Sequence, residues 1–182
     1  MYYTPVESFV SSEYILTSTG NRIAKDAAIS KPQALEIPGG KVIIKSKVSI
    51  NSSDTRVSLN KYSYISEGCM LLPSTLTTGG ATRHIPMTIG AHTFIGMNCR
   101  IEAAVIGNGC FISANCTVGP RVVLKDYVLL EPNTVVAADT VIPPFCVVAG
   151  NPGVIVGIVP ESAVVLHTNA AITKYKSFIP NV

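Results

Sequence analysis

The sequence predicts an all-β fold, a parallel β-helix of about six triangular coils followed by one C-terminal α-helix. Two observations carry this reading. Isoleucine, valine or leucine recurs at Ile89, Ile95, Ile101, Ile106, Ile112, Val118, Leu124, Leu130, Val136, Ile142, Val148 and Val154, every sixth residue apart from the step of five between Ile101 and Ile106. Two places before an anchor sits a small side chain: Thr93, Cys99, Ala104, Cys110, Cys116, Val122, Val128, Thr134, Thr140 and Cys146. Period six matches neither a 3.6-residue helix nor an alternating strand with hairpin turns. It matches one short strand plus one corner, repeated as in a solenoid.

Three such units close a triangular coil, so anchors one coil apart stack. The expected columns are Ile106, Leu124, Ile142; Ile112, Leu130, Val148; and Val118, Val136, Val154. Coils then lie about 4.8 Å apart, the spacing of neighbouring strands. Side chains alternate along a strand, so the residue two before an anchor also points inward. It is small because three faces converge there. Gly90, Gly96, Gly107 and Gly119 follow their anchors, where a residue without Cβ suits the start of a turn.

Taken in order, residues 1–40 lack the hexad and read as an N-terminal cap. Within them Glu13–Leu16 is a strand entering a turn at Thr19-Gly20-Asn21. Residues 41–159 form the β-helix. Its early anchors are Ile44, Ile50, Leu59, Ile65 and Leu71, with Val42, Val48, Val57, Ser63 and Cys69 at the small position. The longer step from Ile50 to Leu59 places extra residues at one corner, around Asn51–Asp54. Residues 72–88, with Pro73, Gly79, Gly80 and Pro86, read as a loop thrown out from another corner. Gly150-Asn151-Pro152-Gly153 is a turn by which the chain leaves the last coil. In 160–182 the apolar spacing changes to that of a helix, through Val164, Ala171, Ile172, Tyr175, Phe178 and Ile179. Pro160 and Pro180 suit its start and stop. The length fits one domain, 1–182.

Hydrophobic residues make up 47% of the chain and charged residues 14%, with net charge +3. So little charge fits either a surface covered by neighbours in a complex or simply a β-rich core. No Lys/Arg cluster marks a nucleic-acid site. No apolar run approaches the roughly 18 residues of a membrane span, and no leader is expected. All five cysteines, Cys69, Cys99, Cys110, Cys116 and Cys146, occupy small inward positions and read as buried free thiols. A reducing, cytoplasmic setting agrees with that, and leaves the sequons at Asn51 and Asn115 unused.

Hexapeptide solenoids include acyltransferases and one class of zinc carbonic anhydrase, and both use histidine. The carbonic anhydrases resemble this chain across its central coils. Here their ligand positions hold Met97 and Glu102, with the third near Leu72, and Asn51-Ser52-Ser53 replaces their supporting Arg-Gly-Asp. Catalytic zinc takes three N, S or O protein ligands, so no metal is expected. Of three histidines, His92 reads as a solvated corner residue and His167 as helix surface. His84, beside Arg83 in the loop, is the candidate general base for acyl transfer. Val147–Gly153 resembles the end of the coil domain in hexapeptide acetyltransferases, yet Val154-Ile155-Val156-Gly157 follows, with no basic residue to meet a coenzyme A phosphate. No catalytic residue, cofactor or metal is assigned.

From end to end the chain resembles the dynactin subunit 5 family, the 25-kilodalton pointed-end subunits. The resemblance rests on Ser12–Ile23, on Ile101–Gly107 with its five-residue step, on Val123–Asp126, on Val141–Phe145 and on Lys174–Pro180. It implies a left-handed β-helix, against the usual right-handed preference of parallel crossovers. It implies a non-catalytic cytoplasmic, cytoskeletal scaffold. The implied partners are dynactin subunit 6, the pointed-end actin-related protein, the 62-kilodalton subunit and dynein cargo adaptors, with no nucleic acid and no membrane insertion. The alternatives are an acetyl-CoA-dependent acyltransferase and a degenerate gamma-class carbonic anhydrase. The expected partner contact is one lateral face around the loop, formed by Leu72, His84, Ile85, Met87 and Met97, because exposed apolar side chains favour a partner. Packing of these residues on their own coil is the alternative.

Overall fold

Each six-residue unit is a two-residue strand and a corner, and the backbone shows why the unit is that short. Three places after an anchor the chain turns through positive φ: His92 (57°), Asn98 (56°), Asn115 (61°), Arg121 (59°), Tyr127 (58°), Asn133 (63°), Asp139 (61°) and Phe145 (59°). Asn and Asp tolerate this region, while Arg, Tyr and Phe persist there only when their surroundings hold them. Stacking supplies part of that hold, for Tyr127 lies on Phe145 with ring centroids 5.3 Å apart.

The computed structural model describes residues 6–181. The chain winds about six times round a three-sided prism, laying strands on each face in turn. The first face carries Ile43–Ile44, Tyr64–Ile65, Phe94–Ile95, Phe111–Ile112, Leu129–Leu130 and Cys146–Ala149. The second carries Ser49–Ile50, Met70–Leu71, Arg100–Ile101, Thr117–Val118 and Val135–Val136. The third carries Val57–Leu59, Met87–Ile89, Val105–Ile106, Val123–Leu124 and Val141–Ile142. Parallel pairing puts Ile112, Leu130 and Val148 in one column and Ile106, Leu124 and Ile142 in another, as the periodicity predicts. Val118 stacks on Val136, but Val154 leaves that column. It pairs with Ala149 at the start of an antiparallel edge strand, Val154–Ile158, because the turn at 150–153 reverses the chain.

The coil also starts earlier than residue 41. Arg22–Ala24, Ala28–Ile29 and Leu35–Glu36 pair in parallel with the three strands of the next turn. Ile23 and Ile29 stack on the anchors Ile44 and Ile50, while Leu35 pairs with Val57 at the small position and Ile37 takes the anchor place next to Leu59. The cap proper is the hairpin of Tyr14–Leu16 on Arg22–Ala24. Ala103 rather than Ala104 is buried at the five-residue step, since the shortened corner turns the earlier residue inward. The glycines after anchors answer to close approach rather than to turning. A Cβ on Gly90 would lie 2.5 Å from the Gly107 carbonyl carbon on the next coil.

The interior is filled. Every anchor from Ile44 to Leu130 is fully buried, together with Val42, Val48, Val57, Cys69, Cys99, Cys110, Cys116, Val122 and Val128. All five thiols are free and buried. Burial pushes the Cys110 thiol up to about 12, which makes it inert at neutral pH.

The helix Ala163–Ser177 is a strap along the corner between the third and first faces. His167, expected on the surface, is buried: its Nδ1 lies 3.2 Å from the Gly109 carbonyl and its ring packs near Tyr127. Tyr175 donates from Oη to the Gly20 carbonyl at 2.7 Å, and Arg22 lies 4.1 Å above its ring. Phe178 and Ile179 lie beyond the helix, in a strand Phe178–Pro180 that pairs with Glu7–Phe9. Phe178 stacks on Phe9 at 4.5 Å and seals an outer cluster with Tyr14, Ile43 and Tyr64.

Glu7 fastens these two strands to the first face. It accepts from Lys174 at 2.7 Å, Tyr64 at 2.8 Å and Lys45 at 3.1 Å. Burial raises its carboxyl, but those hydrogen bonds outweigh burial and bring the pKa down to about 2. The stability this supplies is present above the ordinary value of 4.5 and is lost as pH falls toward 2. With partial exposure discounted, it is about 1–2 kcal/mol. Unfolding free energy measured from pH 6 to pH 2 is expected to fall more steeply in the native chain than in Glu7→Gln; equal slopes would contradict this. Ile112→Ala is expected to cost about 2–5 kcal/mol in urea titration, since the anchor has no exposure and its column cannot collapse.

Candidate partner-binding surfaces

The three histidines stand apart. His84 is exposed near the end of a β-strand, His92 is half-buried against Tyr62 at 5.4 Å, and His167 is under the strap. Burial and then Lys61 lower the His92 pKa, so its imidazole is neutral at neutral pH. His92 is therefore a packed corner residue rather than a solvated one. Among the described residues no group of three His, Cys, Asp or Glu side chains converges to hold a metal ion. Glu102 is engaged by Arg100 at 2.7 Å.

The loop at 72–88 is an ordered hairpin. Thr75–Thr78 pairs antiparallel with Ala81–His84 across a two-residue turn, Gly79-Gly80, in which both glycines have positive φ. That turn twists with its strands, and Gly-Gly between short Thr-rich runs is its sequence signal. All eight strand residues are exposed. Arg121 anchors the root: its backbone N–H donates to Ser74 Oγ, and its Nη1 donates to the Thr75 carbonyl at 2.8 Å. Asp139 takes the rest of the guanidinium at 2.6 and 2.7 Å.

The five residues expected to share one contact face do not all do so. Leu72 and Ile85 are half-buried at the hairpin root and His84 is exposed beside them. Met87 is 1% exposed and points into the prism, so it offers nothing to a partner. It sits two places before Ile89, the inward position. Met97 is 50% exposed but lies on another corner, between the first and second faces.

Met97 instead borders an open cleft of about 430 Å³ on the first face, below the strap. Its floor is a ladder of outward aromatics, Tyr64 to Phe94 at 5.4 Å and Phe94 to Phe111 at 4.8 Å. Its upper rim holds Glu7, Lys45, Glu67 and Lys174, where Lys45 bridges Glu7 and Glu67. Aromatic residues one place before the anchors of a single face were the signal for this ladder. A further apolar surface lies at the C-terminal end, where Val154, Ile155, Val156 and Ile158 of the edge strand are each more than half exposed.

Comparison with known proteins separates fold from family. A hexapeptide transferase family protein from Anaplasma phagocytophilum superposes with TM-score 0.58 at 17% identity, covering 82% of this chain and 89% of that one. AntD, an N-acyltransferase from Bacillus cereus seen in complex with dTDP and coenzyme A, gives TM-score 0.55 at 14% identity, covering 84% and 89%. At such identities the likeness establishes the hexapeptide-repeat left-handed β-helix and nothing of chemistry. In sequence, dynactin subunit 5 of Dictyostelium discoideum is 34% identical over 100 residues, 55% of this chain and 50% of that protein. The chain therefore matches about half the length of that curated relative. The sequence model of dynactin subunit 5 matches residues 7–182, which takes in the N-terminal strand, the hairpin and the strap as well as the coils. The chain belongs to the dynactin subunit 5 family.

Proposed function

We propose that this chain is a non-catalytic interaction subunit at the pointed end of dynactin, pairing with a second β-helix subunit and helping dynein–dynactin engage adaptors and cargo. The observation that carries this reading is the family match over residues 7–182. Physical features support it. The prism interior is filled by stacked aliphatic side chains, so no substrate cavity lies inside the coil. The outer faces are flat, with a rooted hairpin, an aromatic cleft and an apolar end strand, which suits broad protein contacts. Among the described residues His84, the candidate acyl-transfer base, has no hydrogen-bonded carboxylate to orient it, and the strand after the 150–153 turn carries no cation for a nucleotide phosphate.

The expected partners are dynactin subunit 6, the pointed-end actin-related protein, the 62-kilodalton subunit and cargo adaptors, in the cytoplasm and on the cytoskeleton. Among the described residues no helix is long and apolar enough to cross a membrane. Affinity purification of the tagged chain from native lysate is expected to bring down other pointed-end subunits in constant ratio. Recovery of the chain with no dynactin subunit at all would refute the assignment.

A further inference from the structure

The hairpin at 75–84 stands clear of the prism, and a two-stranded hairpin alone in water is marginal. This one is preformed because its root is held by Arg121, and because Ile85 N–H donates to the Ser74 carbonyl at 2.8 Å. That last bond fixes which backbone groups are free. Antiparallel pairs alternate between hydrogen-bonded and open. With Ser74 and Ile85 bonded, Thr75–His84 and Thr77–Thr82 are open pairs, whose N–H and C=O groups point away from the hairpin. On the 75–78 edge Arg121 already takes the Thr75 carbonyl. On the 81–84 edge Thr82 and His84 present theirs to solvent.

Charge sets the kind of strand that fits. Residues 72–88 contain no Asp or Glu. Arg22 donates to the Tyr175 and Phe178 carbonyls, Arg56 faces Glu36, Arg100 faces Glu102 and Arg121 faces Asp139. Arg83 is exposed directly across from Leu76 and has no acidic partner among the described residues. A strand added at the 81–84 edge places the residue beside Arg83 on the same face as Arg83 and Leu76. A carboxylate there completes the ion pair that the hairpin lacks.

We propose that the 81–84 edge takes up an extended acidic segment of a partner protein as a third strand, its backbone pairing with Thr82 and His84 and its carboxylate meeting Arg83 beside Leu76. This uptake depends on the hairpin alone, and not on which assembly holds the prism.

The probe is a fluorescein-labelled, end-capped peptide of alternating glutamate and valine, titrated with the full chain and followed by fluorescence anisotropy. Saturable binding is expected. It weakens about tenfold or more with Arg83→Glu, and likewise when glutamine replaces the peptide's glutamate. Thr82→Pro removes an outward N–H and spares the internal ladder, and it abolishes binding. Thr77→Pro, the matching change on the opposite edge, leaves binding intact. Circular dichroism of each variant verifies the fold. The proposal is overturned by no saturable binding to the native chain, by equal binding of the glutamine peptide, or by loss with Thr77→Pro but not with Thr82→Pro. A dimer seen by light scattering and dissolved by Thr82→Pro also overturns it, because the occupant is then a second copy of this chain.

Discussion

Everything in this molecule depends on one packing constraint: each face of each coil sends one large side chain to the axis and, apart from Leu35 and Met87, one small one. The large side chain touches its equivalents above and below, and the small one lets three faces meet. Ile95 on Ile112 on Leu130 is such a contact, with Cys110 and Val128 at the small position. Because interiors are close-packed, neither size can change without a void or an overlap. The short strands, the left-handed corner residues and the parallel register all follow from keeping this pair in place at every rung.

A prism so built has smooth flanks and two open ends, and the remaining elements manage them. The hairpin of Tyr14–Leu16 covers the first coil, and the 150–153 turn caps the second face of the last one, with Gly153 N–H donating to the Val135 carbonyl at 2.7 Å. The strap returns from the last coil to the first, and the strand after it joins Glu7–Phe9 in one small sheet. Glu7 is where that closure concentrates: one carboxylate holds two lysines and a tyrosine from three separate parts of the chain. Recognition is left to what the prism does not use for itself.

Much of this was legible in the sequence because period six is set by geometry that repeats. The columns and the buried thiols follow from it, while the strand and turn of the cap and the last helix showed where the period stops. What the pattern hid was hidden for physical reasons. Ile23 and Ile29 keep the spacing, but the next anchor, Ile37, comes eight residues later with Leu35 at the small position, so the hexad there is a faint signal. Met87 is large for an inward position, so it read as surface, although its place two before Ile89 put it inside. His167 is buried beside the Gly109 carbonyl and the Tyr127 ring, which itself lies where a Cβ on Gly109 would stand. That fit joins residues far apart in sequence, and periodicity carries no trace of it. The cleft and the hairpin edge left only local traces, aromatics one place before the anchors of one face and Gly79-Gly80 between threonine-rich runs, since both belong to the outer surface, where the repeat imposes nothing.

Residue-resolved native-state hydrogen exchange tests the packing constraint most directly. The account predicts one cooperative block, with backbone amides of the inward-packed rungs from Ile43 to Val148 exchanging only through global opening, and the outward amides of Thr77 and Thr82 exchanging orders of magnitude faster. Coils that open one by one from either end, with central rungs such as Ile95 and Ile112 no better protected than the hairpin, would contradict it.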